Sequence, residues 1–174
     1  MAQNDVRGRP GFAFTLASGC MKMSPETAHC MRPFSIRVLV VEKPFREFLS
    51  LRLQSTSSIY VCWEASDGLE AVQKAEELQP DLILLDIGLP KLNGIEVARR
   101  IRKVSLGSEI LFVSQEPSAD TVREALGTGA RGYIFKMDAR RELLEGVNAV
   151  LRGKRFVGRR FSGHDFDEPP NVGA

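Results

Sequence analysis

A chain of 174 residues, 43% of them hydrophobic, is long enough for one domain with a real core and too short for two comfortable ones. A formal net charge of +2 argues against nucleic-acid binding by bulk electrostatics, and no stretch approaches the apolar length of a membrane span. Three cysteines without a CxxC pair, and two histidines outside the periodic region (His29 and His164), argue against a zinc site or a disulfide framework and suit a reducing cytoplasm.

Residues 1–34 show no sustained period and read as a poorly ordered leader. Arg7 and Arg9 before the apolar run from Gly11 to Ala17 sketch an export signal. The run is short, however, and Leu16 stands one place too far from Cys20 for a lipid-attachment site. A disordered leader, or a start placed too early upstream of Met21, Met23 or Met31, accounts for the segment better than export does.

From Ser35 the character changes. Ile36 to Val41 is a β-branched run that reads as a buried strand, and Pro44 opens a helix carrying Phe45, Phe48, Leu49 and Leu53. Ile59 to Trp63 is a second strand, with Cys62 as a small core hydrophobe. Asp67-Gly68 then leads into a helix with Leu69, Val72, Ala75 and Leu78 that stops at Gln79-Pro80. Leu82 to Leu85 is a third strand, followed by a helix that Asn93 caps and that holds Ile95, Val97, Ala98 and Ile101. Ile110 to Val113 is the fourth strand, and Ser118 caps a helix with Val122, Ala125 and Leu126 that closes at Gly127 to Gly129. Gly132 to Phe135 is the fifth strand. The last helix runs from about Ala139 to Arg152, with Leu143, Leu144, Val147 and Val150 inward and Gly153 as its stop.

Repeated β–α units with continuously apolar strands predict an α/β fold, a flavodoxin-like three-layer sandwich around a five-stranded parallel sheet in order 2-1-3-4-5. The domain spans 35–156, and the tail 157–174 reads as flexible. Four strands end in chemically useful residues: Glu42, Asp86, Ser114 and Lys136. Carboxyl ends of parallel strands share one crevice, so these groups converge there. Taken singly, each is an ordinary polar strand end, a turn start or a solvated charge, and Tyr133 an ordinary strand aromatic. The set of types in this order is far less ordinary.

Here a resemblance emerges. Asp81 to Pro90 with Asn93-Gly94, Ile110 to Ser114, and Gly129 to Lys136 resemble the receiver domains of two-component response regulators, over the stretch from Val38 to about Phe156. The wording is similar to the subfamily that usually carries a helix-turn-helix output domain. The resemblance implies a signalling module rather than an enzyme, phosphorylated on Asp86 by a histidine kinase or histidine phosphotransferase in a phosphorelay. It implies Mg²⁺ held by Glu42, Asp86 and the backbone carbonyl of Gly88, with Lys136 and Ser114 against phosphoryl oxygens. Tyr133 is the implied switch aromatic. Partners would be the kinase near Phe45 and Phe48 and a downstream protein on the face of helix four, strand five and helix five, with a homodimer left open.

The sequence departs from that pattern in places. Lys43 stands where the family has a second acid after Glu42, and the loop to the first helix is short. A cation there competes with Mg²⁺, which keeps open the alternative of a pseudo-receiver, a phosphorylation-independent interaction module. Gln115 follows Ser114 where a smaller residue is common, and Met137 follows Lys136 where many receivers have proline. The basic tail (Arg152, Lys154, Arg155, Arg159 and Arg160) raises DNA binding as a further reading, against which no helix-turn-helix fits there. A Ser/His hydrolase finds no nucleophile-elbow motif.

Overall fold

A computed structural model of the chain describes residues 35–42, 45–164 and 166. The expectations for residues 1–34, for Lys43 and for Pro44 lie outside the described residues.

Strands β1 (Ile36–Val41), β2 (Ile59–Ala65), β3 (Leu82–Leu85), β4 (Glu109–Ser114) and β5 (Gly132–Phe135) alternate with helices α1 (Arg46–Gln54), α2 (Gly68–Leu78), α3 (Gly94–Val104), α4 (Ala119–Gly127) and α5 (Ala139–Leu151). All strand pairs are parallel and the order is 2-1-3-4-5, extended on the β5 side by β6 (Phe156–Val157). Because side chains alternate across a strand, each apolar run serves both faces of the sheet. Val38, Val40, Leu82, Leu84, Leu111 and Val113 meet Leu49 and Leu53 of α1 and Leu143, Val147 and Val150 of α5. Leu39, Val41, Ile83, Leu85, Ile110 and Phe112 meet residues of α2, α3 and α4 on the other face.

Several local expectations need correction. Cys62 is half-buried rather than core, because β2 is the outermost strand among the described residues and its pairing with β1 shifts register between Val38 and Leu39. Leu69 is 50% exposed, at the first turn of a helix beside that outermost strand. Ser118 occupies the N-cap of α4 without a side-chain bond, whereas the Asn93 carbonyl accepts the Ile95 N–H at 2.8 Å.

The largest addition lies after α5, where a sixth strand extends the expected five among the described residues. Gly132 pairs with Phe156 and Tyr133 with Val157, and Arg159–Phe161 form a 3₁₀ turn. Phe156 and Val157 favour strand geometry, and Phe161 is 2% exposed, a burial that contributes about 2 kcal/mol of transfer free energy.

Candidate functional site

The register of the sheet brings the strand ends together. Val41 lies opposite Leu85 and the Asp86 N–H donates to the Val41 carbonyl at 3.0 Å, so Glu42 and Asp86 leave adjacent strands side by side. Lys136, in the 3₁₀ turn Lys136–Asp138 just after β5, reaches over β4 to both. Its Nζ lies 2.6 Å from Glu42 Oε1 and 2.8 Å from Asp86 Oδ2. All three side chains are buried. Burial pulls the Lys136 ammonium down, but hydrogen bonds and charge from Asp86 and Glu42 outweigh it and hold its pKa above the ordinary lysine value. The second Glu42 oxygen accepts the Phe45 N–H at the start of α1.

The Asp86 loop takes its shape from the helix that leads away from it. Gly94 opens α3 directly against the strand end, where a Cβ would lie 2.0 Å from the Asp86 carbonyl oxygen and 2.8 Å from Ile87 Cα. Only glycine permits that approach, and its N–H donates to the Ile87 carbonyl at 3.0 Å. Asn93 and Gly94 thus act as a pair, one capping the helix and the other letting it sit flush. Across the loop, Lys91 adopts φ of 65° and pairs with Asp67, the cap of α2, at 2.5 Å.

Ser114 and Tyr133 form a second cluster beside the carboxylates. Ser114 Oγ accepts the Glu116 N–H at 3.3 Å, and the Tyr133 hydroxyl donates to the Glu116 carbonyl at 2.7 Å. The Glu116 peptide therefore ties the β4–α4 loop to both side chains, a backbone role that no side-chain motif announces. Tyr133 is fully buried and turned inward. Burial pushes its phenol up to about 12, against a lowering influence from Ser114. Sequence reasoning also missed Glu142, a buried carboxylate on α5, because its helical position reads as ordinary surface charge.

Residues 38–148 match the response regulator receiver domain family. The chain belongs to that family. As a receiver it is similar to BvgA of Bordetella pertussis, a positive transcription regulator of virulence factors, at 30% identity over 121 residues, 69% of this chain and 58% of that protein. It is similar to the nitrate/nitrite response regulator NarL of Escherichia coli at 38% identity over 99 residues, 57% of this chain and 46% of that protein. The chain spans about half the length of these curated relatives. Among solved structures, the signal receiver domain of NarL from Mycobacterium tuberculosis matches with a TM-score of 0.66 at 31% identity, covering 70% of this chain and 100% of that one. The response regulator domain of Thermotoga maritima CheB matches with a TM-score of 0.62 at 37% identity, covering 68% of this chain and 97% of that one.

Receiver domains typically bind Mg²⁺ in the acidic pocket. The donor set of this receiver fits such an ion: two carboxylates against one ammonium leave a net negative charge, and Mg²⁺ commonly takes one or two protein carboxylates alongside water. Among the described residues no group of three or more His, Cys, Asp or Glu gathers as a metal cage, so the set is a minimal one. No helix among the described residues is long and apolar enough to cross a membrane.

Proposed function

We propose that Asp86 accepts a phosphoryl group from a phosphohistidine of a histidine kinase or phosphotransferase. The observation that carries this reading is the buried contact of Lys136 Nζ with Asp86 Oδ2 at 2.8 Å, which sets a fixed positive charge where phosphoryl oxygens gather. An Asp86 carboxylate oxygen attacks phosphorus. The P–O bond forms as the P–N bond breaks, and the imidazole leaves with that electron pair. Asp86 and the Gly88 carbonyl would hold Mg²⁺ directly, with Glu42 acting through water because Lys136 and the Phe45 N–H already occupy its oxygens. The bound ion would supply neutralisation of phosphoryl charge. Ser114 then donates its hydroxyl to a phosphoryl oxygen while its Oγ accepts the Glu116 N–H, which draws on the loop that Tyr133 also holds. Output passes to a downstream protein on the face of α4, β5 and α5.

One observation favours a second reading. Glu42 is fully engaged, and Lys43 follows it in the sequence, so a pseudo-receiver that presents the same face without phosphorylation is the competitor. Incubation with acetyl phosphate and Mg²⁺, acid quench and intact mass decide between them. An adduct on the wild type that is absent with Asp86→Asn and lost with EDTA supports the phosphorylated receiver. No adduct on folded protein even at short quench times overturns it.

A further inference from the structure

The run after α5 has anchors on every element it passes. Phe156 N–H donates to the Arg131 carbonyl at 2.9 Å and Gly158 N–H to the Tyr133 carbonyl at 2.8 Å, seating the start of the run along β5. Its turn rests on α5, where Glu142 Oε1 accepts the Arg159 N–H at 3.1 Å. The other Glu142 oxygen lies under Gly158, so close that a Cβ there would come within 2.6 Å of it. Phe161 then meets Tyr133 edge to face, with centroids 5.6 Å apart and planes at 88°. Outside this pair, Arg160 lies 4.3 Å over the Phe135 ring, and Arg123 of α4 lies 5.8 Å over Phe166, itself 6.4 Å from Phe161.

Tyr133 is therefore enclosed on both sides. Inside, its ring lies 6.3 Å from Phe112 and its hydroxyl is bonded to the Glu116 carbonyl. Outside, the buried Phe161 ring closes the way back to solvent, and a close-packed interior does not accept two rings in one place.

We propose that residues 156–164 are an intramolecular ligand of the α4–β5 face, a strap that clamps Tyr133 inward and itself forms part of the surface a partner meets. The proposal rests on the reading of Tyr133 as the switch aromatic. Linkage gives it a direction. A strap that binds only the Tyr133-inward state favours whatever else favours that state, so a phosphoryl group on Asp86 tightens the strap and the strap tightens the site for the phosphoryl group. The occupant is the chain itself, and its charge is complementary to the face: Arg159 pairs with Glu145 of α5 at 3.2 Å.

The test uses the whole chain with ¹³C-labelled tyrosine, and two variants that loosen the strap by different routes. Phe161→Ala removes the clamp itself. Gly158→Ala forces the Glu142 carboxylate, which also accepts the Arg159 N–H, to shift away and leaves the apolar core untouched. The wild type should show ring NOEs from Tyr133 to both Phe112 and Phe161. Both variants, with unchanged amide spectra for β1 to β4, should lose or average the NOE to Phe112. Affinity for beryllofluoride with Mg²⁺ should fall by about fivefold in each, the low end of ordinary coupling between sites. A Tyr133–Phe112 NOE of wild-type strength in both variants overturns the strap. Failure of the wild type to bind beryllofluoride overturns the phosphorylation reading instead, and the NOE comparison then decides the strap alone.

Discussion

Lys136→Met keeps the length of the side chain and removes its charge, which isolates what the ammonium does. Its Nζ sits 2.6 Å and 2.8 Å from two carboxylate oxygens, and each of the three side chains is less than a tenth exposed. At an effective dielectric of about 20 each contact carries roughly 6 kcal/mol of raw Coulomb attraction, most of which the burial of three charges takes back. The variant is governed by what remains. Glu42 and Asp86 would face each other without a counter-charge, an arrangement that costs about 3–5 kcal/mol when one partner of a buried pair is removed. Urea unfolding at pH 7.5, followed by circular dichroism, measures this directly. The raised Lys136 pKa means that the wild-type contribution is fully present at that pH and is lost only as pH climbs through the raised value, above 10.5. Adding Glu42→Gln to the variant removes one of the two opposed charges and should return about 1–2 kcal/mol. Millimolar Mg²⁺ should stabilise Lys136→Met more than the wild type, because a cation then fills the missing role. A single variant within about 1 kcal/mol of wild type would refute the reasoning, since it would mean that the two carboxylates separate or hydrate without penalty.

Gly94→Ala should destabilise by about 1–3 kcal/mol or more and slow phosphoryl uptake, because the new methyl meets backbone of Asp86 and Ile87 that has nowhere to go. Thermal unfolding and the mass assay check both effects. Asp67→Ala should lower the urea midpoint, since Oδ1 accepts the N–H groups of Leu69 and Glu70 at the start of α2, while Asp67→Asn should lower it much less. Stability should also fall in strong alkali on account of Tyr133. A folded-state pKa of about 12 against the ordinary 10.0 contributes in full below pH 10 and is lost as pH rises toward 12. The loss amounts to about 2–3 kcal/mol, and the slope of stability against pH in that window should flatten in Tyr133→Phe.

The strand cores were legible because a parallel sheet buried on both faces needs unbroken apolar runs, and Leu82 to Leu85 is such a run with all its residues buried. The polar strand ends were legible for a related reason, since parallel pairing delivers Glu42, Asp86, Ser114 and Lys136 to one rim. What hid from sequence reasoning depends on contacts between distant elements. Leu69 obeys the helical apolar period yet is half exposed, because β2 is the outermost strand among the described residues. Glu142 breaks that period yet is 4% exposed, because a later turn folds down on it. A two-residue strand such as β6 has no period at all, and the worth of Phe161 appears only once Tyr133 is beside it.

The sixth strand also decides where the domain tolerates trimming. The family match ends at residue 148, inside α5, which runs to Leu151. A fragment stopped there, or anywhere before Phe156, leaves the carbonyls of Arg131 and Tyr133 unpaired along the rim of the sheet and bares the rings of Tyr133 and Phe135. An uncovered strand margin lined with aromatics is a template for a neighbouring chain, so such fragments should self-associate during purification. Fragments carried through Phe166 keep that margin closed.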